Sequence, residues 1–204
     1  MGETATAQDL KEEGLRLFHE GLYEEAAARF EQAKEMFTVD ENEIEAAEMV
    51  NNLGVIYRTQ DKWDEAISAL EEARAAFVKL GDRSREAQTL GNLGGLYAEK
   101  RDREKAQESL RQAADIFAEI GDVQHQGETL VALAEQQIKT GDRQGGIATY
   151  MAGVQLQQKP PFRQKAMRSL FGLYTRLLSG KKGVKYRQHS LGIKPRMFLS
   201  DHSD

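Results

Sequence analysis

The chain of 204 residues contains no cysteine, only three prolines and no long apolar run. Without cysteine, a disulfide framework, a thiol nucleophile and thiolate metal ligands are excluded. No stretch approaches the roughly 18 apolar residues that span a bilayer, so no transmembrane helix is predicted. The first residues, MGETATAQDLKEEG, lack the basic and apolar regions of a secretory signal. We therefore expect a cytoplasmic protein.

Signatures of catalysis and of metal binding are also missing. The four histidines do not stand at the i, i+4 spacing of a helical metal site. No nucleophile elbow, phosphate-binding loop or dinucleotide-binding glycine pattern follows a predicted strand. The carboxylates fall mostly at exposed positions of predicted helices. The sequence thus predicts no enzyme, no metal and no cofactor.

The charge is distributed unevenly along the chain. Residues 1–158 contain 17 basic and 31 acidic residues, a formal charge of −14, whereas residues 159–204 contain eleven basic and two acidic residues. The overall charge of −5 therefore combines an acidic body with a basic C-terminal end. Such asymmetry is typical of an interaction tail.

The sequence repeats itself every forty residues. Leu53-Gly54-x-x-Tyr57 recurs as Leu93-Gly94-x-x-Tyr97, and glycine pairs with aspartate at Gly81-Asp82 and Gly121-Asp122. Small and apolar residues recur at the same interval in three further columns: Ala26, Ala66, Ala106 and Gly146; Phe30, Leu70, Leu110 and Tyr150; and Ala33, Ala73, Ala113 and Gly153. Their i, i+4, i+7 spacing predicts amphipathic helices. Each unit then holds two helices of roughly 17 residues, each about 25 Å long.

The repeat pattern predicts an all-α solenoid of helical hairpins. The Leu-Gly-x-x-Tyr pattern and the alanine columns resemble the tetratricopeptide repeat. The stretch ALEEARAAFVKLGDRSREAQTLGNLGGLY is most similar to the forty-residue class found in Leu-Gly-Asn (Pins-type) adaptors. The resemblance implies a right-handed solenoid over residues 1–158, with units at about 6–40, 41–81, 82–121 and 122–158.

Glycine within a helix costs about 1 kcal/mol relative to alanine, so the glycines of the repeat need a reason. We interpret Gly54 and Gly94 as positions where two helices approach closely, against the Ala66 and Ala106 regions of the partner helices. The predicted packing residues are Gly54, Tyr57, Ala66, Gly94, Tyr97 and Ala106.

The resemblance also implies a concave groove, lined by the first helix of each hairpin, in which a peptide or a helix of a partner protein binds. Carried onto this sequence, the groove residues are Lys11, Asn51, Asn52, Val55, Arg58, Gln88, Gly91, Asn92, Gly95, Glu99, Glu135 and Lys139. The asparagines suit a bound backbone, because an amide both donates and accepts; the alternative is that they link neighbouring helices. Gly91 and Gly95 predict a shallow slot.

The C-terminal end departs from the repeat. Residues 161–179 are predicted to form a capping helix, which a solenoid needs at its end. Its apolar surface is wider than one contact face because of Met167, Phe171, Tyr174 and Leu178. The tail itself, a second protomer or a membrane could cover it. Residues 180–204 form a basic tail, with Lys181 and Lys182 at its start, that is either flexible or folded back.

The leading functional hypothesis is a non-catalytic adaptor that binds a partner protein in the groove. One alternative is a structural protein that dimerises through the C-terminal helix and tail. Another is a membrane-peripheral adaptor, since each cation near an anionic surface contributes about 1 kcal/mol. A nucleic-acid partner is not expected, because an acidic body repels phosphates.

Overall fold

The computed structural model describes residues 5–157, which form eight α-helices joined by short turns. The helices are α1 (Ala7–His19), α2 (Tyr23–Val39), α3 (Glu43–Thr59), α4 (Trp63–Leu80), α5 (Arg83–Glu99), α6 (Arg103–Glu119), α7 (Val123–Lys139) and α8 (Arg143–Leu156). None of these eight helices is both long and apolar enough to cross a bilayer.

The turns follow one pattern throughout the described chain. A residue with positive φ stands in each of them, at intervals of twenty residues: Gly21, Glu41, Asp61, Gly81, Arg101, Gly121 and Gly141. A left-handed residue ends a helix and reverses the chain direction. Aspartate or asparagine then caps most of the following helices, with a side-chain oxygen that accepts from a backbone N–H: Asn42, Asp82, Asp102, Asp122 and Asp142.

The helices pack as four antiparallel hairpins in a row, α1·α2, α3·α4, α5·α6 and α7·α8. Each second helix also packs against the first helix of the next hairpin, and α5 contacts both α3 and α7. The predicted helical solenoid is therefore confirmed. The predicted capping helix 161–179 and basic tail 180–204 lie outside the described residues, as do Met167, Phe171, Tyr174, Leu178, Lys181 and Lys182.

Glycines let the two helices of a hairpin approach closely. A Cβ at Gly54 would lie 2.8 Å from Leu70 Cγ, and one at Gly94 would lie 2.6 Å from Leu110 Cγ. The predicted neighbour of Gly54 was the Ala66 region of α4. The contact is made with Leu70, one helical turn further along α4. In the last hairpin the close approach is between Gly127 and Gly153, where a Cβ on either would lie 2.7 Å from the carbonyl oxygen of the other.

The core lies between the two helical layers. Its largest fully buried side chains include Phe30, Phe77 and Phe117, one from the second helix of each of the first three hairpins. Tyr97 is buried and Tyr57 is half-buried, and both pack against core clusters. Ala66 and Ala106 are fully buried, so small side chains stand where the layers meet.

Candidate functional site

The first helices of the two central hairpins are buried on all sides. Every residue from Ala47 to Ile56 in α3 is buried, and so is every residue from Glu86 to Tyr97 in α5. Successive residues of an α-helix are rotated by about 100°, so runs of this length include every face of the helix. The side of α3 and α5 that faces the predicted groove is therefore buried, as is the side that faces the core.

The predicted groove residues differ in their exposure. Nine of them are buried: Lys11, Asn51, Asn52, Val55, Arg58, Gln88, Gly91, Asn92 and Gly95. Glu135 is half-buried, and Glu99 and Lys139 are exposed. Most of these nine buried residues are polar or charged. They need partners within the protein, because burial of an unpaired charge is strongly unfavourable.

A network of ion pairs joins the first three hairpins. Glu48 is completely buried, with Lys11 Nζ 2.7 Å from its Oε1 and an Arg85 guanidinium nitrogen 2.7 Å from its Oε2. Lys11 Nζ also pairs with Glu45 at 2.8 Å, and Arg85 pairs with Asp82 at 2.8 Å. The network thus contains two cations and three carboxylates, and its members come from α1, α3, α5 and the cap of α5.

The network keeps its two cations charged. Burial on its own lowers the pKa of Lys11, but hydrogen bonds and charges from Glu45 and Glu48 outweigh it, so the pKa lies above its ordinary value. The pKa of Arg85 is raised in the same way, since Asp82 and Glu48 outweigh the effect of burial. Both cations are committed to internal carboxylates.

Asparagine side chains form a second buried group. Asn51 Oδ1 lies 3.1 Å from the Thr89 hydroxyl and 3.3 Å from Asn92 Nδ2, and Asn51 Nδ2 lies 3.4 Å from Asn52 Oδ1. These contacts connect α3 to α5. Asn52 is completely buried, and its Nδ2 donates to no acceptor within residues 5–157. Asn52 therefore carries an unused hydrogen-bond donor, a rare feature of a buried amide.

Arg58 occupies the slot that the sequence predicts at Gly95. Its guanidinium makes a two-pronged contact with Glu99, Nε to Oε2 at 2.9 Å and a terminal nitrogen to Oε1 at 2.7 Å. A Cβ at Gly95 would lie 2.7 Å from the other terminal nitrogen of Arg58. The absence of a side chain at Gly95 makes room for this internal arginine, so Arg58 packs across α5.

A shallow cleft of about 340 Å³ opens where α5 and α7 end. It brings the predicted residues Glu99 and Lys139 together with Ala98, Arg101, Arg103 and Gln136. Lys139 pairs with Glu135 at 2.7 Å. Within residues 5–157, no cluster of His, Asp or Glu side chains is arranged to hold a metal ion.

Arg85 and Thr89 belong to the site but are absent from the predicted groove residues. Arg85 falls in the column of Glu45 and His125, forty residues away on either side. Opposite charges in one column of neighbouring repeats indicate a contact between the two first helices. That alternation of charge is the signal in the sequence for Arg85, whereas the column of Thr89, with Met49 and Thr129, carries no such signal.

The profile of the tetratricopeptide repeat family matches residues 4–77 and 43–119, which together are more than half of the chain. The chain belongs to the tetratricopeptide repeat family. Tetratricopeptide repeats generally mediate interactions between proteins, so the expected role in protein binding is supported at this general level. No curated protein matches this tetratricopeptide repeat chain at a significant level.

Two solved structures are similar to this tetratricopeptide repeat chain. BtubC (BKLC) from P. vanneervenii has a TM-score of 0.62 at 22% identity, with 92% of this chain and 70% of that chain covered. A proposed kinesin light chain from P. anserina, with nearly identical TPR-like repeats, has a TM-score of 0.63 at 17% identity, with 84% and 91% covered. At these identities the similarity establishes a common fold.

Proposed function

We propose that this protein is a non-catalytic adaptor that binds a peptide segment of another protein along the groove of α3 and α5. The observation that carries the proposal is the unused Nδ2 donor of Asn52, completely buried beside Asn51. A backbone carbonyl of a bound segment is the acceptor that it lacks. The membership of the Leu-Gly-Asn class stays a prediction.

The charged residues of the groove limit the chemistry of the partner. Lys11, Glu48 and Arg58 are paired within the protein, at 2.7 Å in each case. They hold neighbouring hairpins together and have no unpaired charge to offer. Recognition therefore depends on amide hydrogen bonds from the asparagines and on apolar contact with Val55. A rigid groove of this kind lowers the ordering cost of binding an extended or helical segment.

Substitution of Asn52 by leucine tests the proposal. Asn52→Leu removes the Oδ1 that accepts from Asn51 Nδ2 at 3.4 Å, so the free energy of unfolding should fall by about 1 kcal/mol. Loss of one hydrogen bond to the ligand is expected to weaken binding about tenfold. The probe is a peptide selected from a random display library on the full-length chain, with affinities measured by isothermal titration calorimetry.

Val78→Asp provides the matched control. Val78 lies on α4, the second helix of its hairpin, and is 54% exposed. The control should retain the affinity of the wild type. If the wild type and Asn52→Leu bind the peptide with equal affinity, binding in the groove is contradicted. It is also contradicted if Asn52→Leu and Val78→Asp lose the same amount of affinity.

A further inference from the structure

The cleft at the ends of α5 and α7 lies on the boundary between the third and fourth hairpins. Its lining residues are Ala98, Glu99, Arg101, Arg103, Gln136 and Lys139. Because the repeat is forty residues long, the residues forty positions earlier stand at the boundary between the second and third hairpins. Those eighty positions earlier stand at the first boundary. The three boundaries can therefore be compared position by position.

Side chains of the protein fill the first two boundaries. At the first, Phe18 packs edge-on against Tyr23 with ring centroids 5.4 Å apart, and both pack against the core cluster that contains Ile56. At the second, Arg58 reaches across to Glu99, with Nε 2.9 Å from Oε2 and a terminal nitrogen 2.7 Å from Oε1. A guanidinium–carboxylate pair thus closes the second boundary.

The third boundary lacks such a filling. Ala98 stands in the column of Phe18 and Arg58, and its methyl group does not replace either side chain. A cleft of about 340 Å³ is left there, and sites for small ligands have volumes of about 300–1,000 Å³. Lys139 stands in the column of Glu99. The position that supplies a carboxylate at the second boundary therefore supplies a cation at the third.

Two arginines of the cleft have no anionic partner. Arg101 and Arg103 make no ion pair and no side-chain hydrogen bond within residues 5–157. The carboxylate that lines the cleft, Glu99, is already paired, since both of its oxygens accept from Arg58. Guanidinium groups bind carboxylates and phosphates through parallel hydrogen bonds. The cleft thus offers two unpaired groups for an anion.

A buried amide also lines the cleft. Gln136 stands in the column of Ile56 and Leu96, both 0% exposed, and Ile56 is buried by side chains of the preceding hairpin. Gln136 is itself 4% exposed, and its side-chain amide makes no hydrogen bond within the described part of the chain. Buried polar groups are nearly always hydrogen-bonded, so an unpartnered amide at a cleft indicates a ligand.

We propose that the cleft binds a carboxylate group of an acidic segment of a partner protein. Arg101 and Arg103 donate to the two carboxylate oxygens, and Gln136 donates through Nε2. The bound carboxylate takes the part that Glu99 has at the second boundary, which is why we assign a carboxylate and not a phosphate. Asn52, which carries the proposed function, does not line the cleft, so this inference goes beyond that function.

A pair of peptides tests the proposal on the full-length chain. The probe is a blocked hexapeptide of alternating glutamate and glycine, and the matched control peptide has glutamine in place of each glutamate. NMR follows the side-chain amide signals of Gln136 and the Nε–H signals of Arg101 and Arg103. The glutamate peptide should shift these signals until they saturate. The glutamine peptide should leave them unchanged at the same concentrations.

Removal of one guanidinium should weaken binding of the glutamate peptide. Arg103→Gln is expected to raise the dissociation constant about tenfold, as for the loss of one charge-assisted hydrogen bond. Arg111→Gln is the matched control, because it removes the same charge from α6 at an exposed position where Arg111 pairs with Glu108. The control should bind within about twofold of the wild type, since an exposed charge outside the site is screened.

Filling the cleft tests its shape without a change of charge. Ala98→Phe introduces the side chain that Phe18 provides at the first boundary and should weaken binding about tenfold. Gln136→Leu introduces the apolar residue of its own column, so it should weaken binding severalfold without lowering the free energy of unfolding. Urea unfolding of both variants shows whether the solenoid remains folded.

Four results overturn the proposal. Equal shifts with the glutamate and glutamine peptides show that no carboxylate is recognised. Equal loss of affinity in Arg103→Gln and Arg111→Gln shows attraction by overall charge. Wild-type affinity in both Ala98→Phe and Gln136→Leu places the peptide outside the cleft. Tighter binding of inorganic phosphate than of the glutamate peptide assigns the cleft to a phosphate group.

The two proposals can fail separately. Asn52→Leu should leave the affinity for the glutamate peptide unchanged, because Asn52 does not line the cleft. Binding of the glutamate peptide that depends on Arg103, together with no effect of Asn52→Leu on the selected library peptide, preserves the cleft and contradicts the proposed function. The reverse pattern preserves the proposed function and contradicts the cleft.

Discussion

At the scale of single residues, Gly94 and Gly95 are adjacent in α5 and have different partners. A Cβ at Gly94 would lie 2.6 Å from Leu110 Cγ, in the middle of a buried side chain on α6. A Cβ at Gly95 would lie 2.7 Å from a terminal guanidinium nitrogen of Arg58. The first neighbour is fixed by the packing of two helices, whereas the second is the end of a long side chain.

We therefore expect Gly94→Ala and Gly95→Ala to differ in stability. Gly94→Ala should lower the free energy of unfolding by about 1–2 kcal/mol, because strain in the core exceeds the gain in helix propensity. Gly95→Ala should change it by less than about 1 kcal/mol, because the arginine tip can shift. Urea unfolding measures both.

The double variant Gly94→Ala with Leu110→Ala checks the cause. Removal of the Leu110 side chain provides room for the new methyl group, so the two substitutions should cost less together than the sum of each alone. Additive costs would show that the clash with Leu110 is not the reason for glycine at position 94.

The forty-residue repeat in the sequence predicts the packing role of Gly54 and Gly94 but not the role of Gly95. Gly54 and Gly94 recur at one register, so their role in close packing follows from the pattern. Gly95 breaks the pattern, and its explanation depends on Arg58, a residue 37 positions earlier in the chain. A contact between long side chains from two hairpins leaves no periodic signal. The sequence accordingly predicts a slot where the structure has an arginine.

At the scale of helices, the network around Glu48 connects α1, α3 and α5. In a solenoid each hairpin contacts only its neighbours, so stability depends on the interfaces between them. Lys11 and Arg85 meet at one carboxylate that is completely buried in α3. The network therefore links three successive hairpins, and loss of one cation should weaken their cooperative unfolding.

Lys11→Met tests this role. The substitution keeps an unbranched apolar stem and removes the charge, which leaves Glu48 with one cation. We expect a loss of about 3 kcal/mol in the free energy of unfolding, as for other broken buried ion pairs. Chemical denaturation near neutral pH measures it, with Lys34→Met on α2 as the control, because Lys34 pairs with Glu31 near the surface.

The pH dependence distinguishes charge from packing. The pKa of Lys11 is raised above 10.5 in the folded protein. Its contribution is therefore fully present below about pH 10.5 and is lost as the pH rises through the higher folded value. The difference in stability between wild type and Lys11→Met should be constant between about pH 6 and pH 9, and should shrink in more alkaline solution. A difference that persists at alkaline pH would indicate a packing defect.

At the scale of the whole molecule, the described chain combines a regular scaffold with an irregular inner surface. The interval of twenty residues between left-handed turn residues fixes the lengths of the helices and the stacking of the hairpins. This periodic part is what the sequence predicts well. The inner surface is made from residues that differ between repeats, such as Glu45 and Arg85, and their pairings become clear only once the helices are in place.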